Sequence, residues 1–166
     1  MEPLSYLIDN PVQVQIIGAN YENHGTLKVN IIPVDDTGNE DIPDDDLPES
    51  PEDLLNRRID FLVEIETAIN LPGNFCKDVF VSYQIYLEET EYKTSVVEGK
   101  EQNPQWNYQH QHTQSVVTEN FLKYIKDEVL CFKVFGFPDV KPKNEAADRA
   151  KARKIDRAAA AQAALG

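Results

Sequence analysis

The sequence predicts an all-β protein, an antiparallel β-sandwich with one short helix and a helical C-terminal tail. Three observations carry that prediction. Several short runs alternate apolar and polar residues, the period of a strand with one buried face. Turn signals built on Pro, Gly and Asn separate those runs. One stretch alone switches to helical spacing, and many short strands with a single helix suit a sandwich. At 166 residues there is room for one domain whose core needs no staples.

The elements follow in order. Residues 12–18 (VQVQIIG) alternate as a strand, ANYENHG turns the chain, and residues 26–34 (TLKVNIIPV) form a second strand with Leu27, Val29 and Ile31 on one face. Residues 1–34 are therefore expected as N-terminal strands, within the sandwich or packed on it. Residues 35–53 hold ten carboxylates, no basic residue, one Gly and three Pro. Such a composition buries too little apolar surface to offset ordering entropy, so a disordered acidic loop is expected.

The strand pattern resumes at Arg57, with Ile59, Phe61, Val63 and Ile65 alternating and Leu62 the one apolar exception. Pro72-Gly73 breaks it. Val79, Val81, Tyr83, Ile85 and Leu87 are expected on the inward face of the next strand. Tyr92–Val97 reads as a shorter strand closed by Glu98-Gly99, and residues 106–117 as another after Asn103-Pro104. Thr118 then caps a helix that sets Phe121, Leu122 and Ile125 on one face. Residues 129–135 (VLCFKVF) read as a buried strand stopped by Gly136 and Pro138, which leaves Phe137 in a loop. The sandwich is thus expected over 54–140. Residues 141–166 are expected to be an Ala-rich helical linker or tail, or vector-derived residues, with only Ile155 and Leu165 large and apolar.

Composition excludes some functions. The formal charge of -13 argues against nucleic acid, which needs a basic face. It also weighs against an anionic bilayer, though most of it sits on residues 35–53. Cys76 and Cys131 form no CxxC pair and are expected as small buried hydrophobes in a reducing compartment. There is no GxxxxGK[ST] loop, GxSxG or HExxH. His110 and His112 fall on one side of a strand but find no third ligand nearby, so they are expected as surface histidines and not as a metal site. No catalytic residue, cofactor or metal is assigned. Contiguous Asp44, Asp45 and Asp46 lack the spacing of a calcium loop.

Two motifs point to a module. Residues 59–87 run strand, Asn70-Leu71-Pro72 turn, strand opening at Asp78; residues 103–107 read N-P-Q-W-N. Together they resemble a C2 domain, with Asn103, Pro104, Trp106 and Asn107 matching the turn before its fifth strand. The resemblance implies a C2-like sandwich. Calcium-binding members carry several loop aspartates, whereas here Gly73 and Asn74 stand in one loop and only Asp139 in the other. Lys93 and Lys100 are offset by Glu98 and Glu101. Neither calcium nor strong lipid binding is therefore expected.

The run VTENFLKYIKDEVLCFKVFG (117–136), with EPLSYLIDNPVQVQIIG and GTLKVNIIPV near the start, is similar to the tail segment following the forkhead-associated domain in kinesin-3 motors. The resemblance covers about residues 1–140 and implies a cytoplasmic, microtubule-associated fragment of a longer chain. Such tails fold back on the motor or bind cargo adaptors. The partners it implies are the motor or forkhead-associated domain of the same protein and an adaptor. A calcium-independent C2 domain on membrane lipid and a ciliary or signalling scaffold domain are the alternatives. Without heptads the fragment is expected to be monomeric, and Phe75 and Phe137 are the candidate contact residues.

Overall fold

The computed structural model describes residues 11–139. Residues 1–10 and 140–166 lie outside them, so the expected helical tail does too. Among the described residues are β1 (Val12–Ile17), β2 (Asn23–Val34), β3 (Ile59–Ile69), β4 (Lys77–Tyr83), β5 (Tyr92–Lys93), β6 (Val97–Lys100), β7 (Gln105–Gln114), α1 (Glu119–Asp127) and β8 (Phe132–Phe137). One antiparallel sheet has the order β1-β2-β3-β7. In the other, β4 is central, β5 and β6 follow one another along one side, and β8 pairs on the opposite side. The chain is an all-β sandwich of two antiparallel sheets.

The core lies between the sheets and follows the period-2 pattern. Leu27, Val29, Val63, Ile65 and Ala68 come from the first sheet, Val79, Val81 and Tyr83 from the second, with Ile85 beside them. Phe61 is half-buried against this core, while Ile59 packs on a second cluster around Val117, Phe121 and Leu122. Leu62 breaks the alternation because it pairs across the outward face with Ile32. The acidic segment returns toward that face, where a side chain at Gly38 would meet the amide of Gln111, the β7 residue opposite Leu62.

Several boundaries differ from the sequence reading; the strand expected over 106–117, for one, ends at Gln114. The β4 strand stops at Tyr83, because the chain turns at Tyr86 (φ 46°) and Glu88 N–H closes on the Ile85 carbonyl. Leu87 is therefore 80% exposed instead of inward. The expected Tyr92–Val97 strand divides in two, since the Thr94 hydroxyl accepts the Val81 N–H in place of a backbone carbonyl. Gly99 thus lies within β6 and does not close a strand. The run 129–135 starts pairing only at Phe132; Val129 is 71% exposed and Cys131 is exposed, not a buried hydrophobe. Gly136 continues β8, so Phe137 ends a strand and does not sit in a loop.

The acidic segment, expected to be disordered, makes specific local bonds. The Asp35 carboxylate accepts from the Thr37 and Asn39 N–H groups and the Thr37 hydroxyl. Pro51–Leu54 forms a 3-10 turn, with the Asp53 carboxylate accepting the Ser50 N–H. Glu52 pairs with Lys126 of α1, and Leu54 and Leu55 pack on the Val117–Phe121–Leu122 cluster. Composition averages over the segment and says nothing of the packing that begins just after it, at Leu54 and Leu55.

Candidate interaction surface

The two motifs, 33 residues apart at Asn70 and Asn103, meet at one end of the sandwich. Asn70 takes a left-handed φ of 60° where β3 ends, and its N–H donates to Asn103 Oδ1 at 3.0 Å. Leu71 is buried, and Gln102 holds it at both ends: its carbonyl takes the Leu71 N–H, and its amide donates to the Leu71 carbonyl at 3.0 Å. Pro72 presents the carbonyl that accepts the Phe75 N–H and so closes the turn.

Pro104 is buried, and its carbonyl accepts both the Ala68 N–H and the Thr67 hydroxyl. Trp106, 9% exposed, fills the core and donates its indole N–H to the Val79 carbonyl of the other sheet at 3.3 Å. Asn107 is the extra residue of a bulge between Ile65 and Thr67, with φ 47°. Asn tolerates that left-handed bend better than a branched residue would. The motifs therefore clamp the β3–β4 connection to the start of β7.

Asp78 (φ 51°) bulges out of β4, and its Oδ1 accepts the Gly99 N–H at 2.8 Å. Asp139 pairs instead with Lys100 at 3.3 Å. Among the described residues no three His, Cys, Asp or Glu side chains converge as a metal would need. Phe75 and Phe137 stand close together at this end: Gly136, beside Phe137, lets the Phe75 carbonyl approach so closely that a Cβ would sit 1.9 Å from it. Phe75 is 50% and Phe137 53% exposed.

At the opposite end the histidines are not both on the surface. His112 is buried, with Nε2 2.9 Å from the Tyr83 hydroxyl, while His110 is exposed and packs on Tyr92. Burial, with a smaller contribution from His110, lowers the His112 pKa to about 4, and burial raises that of Tyr83. Arg58 forks onto the buried Asp60 at 2.8 and 3.0 Å, and that ion pair holds the carboxyl below its ordinary value. A groove of about 180 Å³ beside Tyr86, Tyr124 and Cys131 is smaller than the usual small-molecule site.

The sequence reading missed the Tyr83–His112 pair. Both residues sit at inward positions of alternating strands, and that was the available signal. The fold is that of an antiparallel β-sandwich. No family model matches the chain, and no curated protein does.

Proposed function

We propose that this chain is a non-catalytic tail module of a cytoplasmic microtubule motor. It folds back on the motor to inhibit it, binds a cargo adaptor, or does both in vesicle or organelle transport. The observation that carries the reading is the ordered set of motifs resembling a kinesin-3 tail: the Asn70-Leu71-Pro72 turn, the N-P-Q-W-N turn, and the helix leading into residues ending Val134-Phe135-Gly136. The first two bond to each other directly, which is the use a module signature has in fixing one scaffold.

A binding role suits the chemistry. The buried polar groups Asp60, His112 and Tyr83 direct their polar atoms at one another or at neighbouring side chains. Among the described residues, no three His, Cys, Asp or Glu side chains converge as a metal would need. The acidic segment offers a basic partner, such as a motor surface, an electrostatic guide for encounter.

The test is the microtubule-stimulated ATPase rate of the parent motor with and without residues 54–140. The reading expects a several-fold rise on deletion. An unchanged rate, together with no co-purification of the chain with the motor head, rules out the inhibitory role.

A further inference from the structure

We propose that the outward face of the second sheet is a docking surface for an acidic peptide segment carrying aromatic or aliphatic anchors. The inference rests on the reading of the chain as a protein-binding module, and it names the surface and the partner's chemistry.

The pairing registers lay this face out in three rows. At one end Lys100 lies opposite Lys77, and Lys77 opposite Phe137. In the middle Phe80 lies opposite Phe135, their rings stacked at 4.9 Å and 12°. At the other end Lys93 lies opposite Ser82, and Ser82 opposite Lys133. The inward neighbours Val79, Val81 and Tyr83 are fully buried; on the outward face Ser82 is covered, its hydroxyl donating to the Glu91 carboxylate at 2.9 Å, whereas Phe135 is 40% and Phe137 53% exposed. An aromatic strip thus sits between lysines on a chain of formal charge -13. Clustered exposed aromatics of this kind mark interaction surfaces.

Charge selects the occupant. Lys93 is paired with Glu91 at 2.9 Å and Lys100 with Asp139 at 3.3 Å. Among the described residues Lys77 and Lys133 make no ion pair within 4 Å; Glu91, already bonded to Lys93 and Ser82, acts on Lys133 only from farther off. Their rows lie four β8 residues apart, about 13 Å along a strand. An extended peptide with two carboxylates about four residues apart and an apolar residue between them matches that spacing. Electrostatic recruitment to a bilayer takes a larger cluster of cations, and Glu91 and Asp139 interrupt this one.

The experiment is random-peptide display on the chain, followed by fluorescence anisotropy with a fluorescein-labelled copy of the most enriched sequence. Peptides with acidic residues flanking an aromatic or aliphatic anchor are expected. Phe135→Ser should weaken binding roughly tenfold, as loss of a central aromatic anchor does. Lys77→Gln with Lys133→Gln should weaken it and flatten its salt dependence; this pair lies outside the core and keeps the test valid if Phe135→Ser unfolds the chain.

Enrichment of sequences without acidic residues, or equal binding by the lysine variant, overturns the proposal. So does recruitment to phosphatidylserine vesicles without peptide binding, or a concentration-dependent dimer that Phe135→Ser dissolves. No motor takes part, so a tail that still inhibits its motor while binding no such peptide refutes the surface and leaves the function standing.

Discussion

Single residues hold this sandwich at points where backbone or charge is unusual, and His112 is the clearest. It is neutral in the fold because it is buried against Tyr83. Its pKa falls from 6.5 to about 4, so below pH 6.5 the unfolded chain binds a proton that the folded chain refuses. The stability it contributes is complete above pH 6.5 and is lost as pH falls toward 4. Urea denaturation across that range should show stability dropping by up to about 1.4 kcal/mol per pH unit, and His112→Gln should remove that component. A profile identical in the variant contradicts the assignment.

Asn107 makes a second residue-scale point. Its left-handed φ belongs to the β7 bulge, so Asn107→Val should cost about 1–2 kcal/mol and Asn107→Gly far less. Urea midpoints for the two variants would separate backbone strain from loss of the side chain. Asn at such positions was legible in the motif. The bulge itself was not, because it exists only in the pairing of two distant strands.

Elements were legible where burial follows a period. The alternation in β1, β2 and β3 and the helical spacing of α1 come directly from residues that must share a buried face. The end of β4 was not legible, since Ile85 and Leu87 continue the alternation after the backbone has already turned. The apolar run before Gly136 has no period at all, so its boundaries depended on β4. The contacts just after the acidic segment were not legible, because Leu54 and Leu55 dock on a helix more than sixty positions away in sequence.

Two pairs of variants test these elements. Gly136→Ala forces a Cβ onto the Phe75 carbonyl and should cost about 3 kcal/mol. Gly99 has open space and only a left-handed φ of 84°, so Gly99→Ala should cost about 1–2 kcal/mol. Thermal unfolding that ranks Gly99→Ala as the worse of the two would contradict the packing described here. At α1, the Thr118 hydroxyl accepts the Phe121 N–H at 3.2 Å. Thr118→Ala should cost about 1 kcal/mol, whereas Thr118→Ser keeps the cap.

At the scale of the whole molecule, the net charge of -13 is an average over unlike parts. One acidic segment borders the first sheet, while the outward face of the second carries lysines around stacked phenylalanines. Sequence reasoning singled out Phe75 and Phe137, because phenylalanine next to a turn draws notice. It missed Phe80, Phe135 and Lys77, whose shared face depends on registers that no local pattern specifies. The Asn70-Leu71-Pro72 and N-P-Q-W-N turns, by contrast, were readable because Pro, Asn and Trp mark them in the sequence itself.

The central claim is that this sandwich acts by binding protein, its own motor first. The most direct measurement is the microtubule-stimulated ATPase rate of the isolated motor head as the folded chain is titrated in separately. Saturable inhibition, weakened by added salt, is the predicted result. An ATPase rate that stays constant as the well-folded chain is added in excess would contradict it.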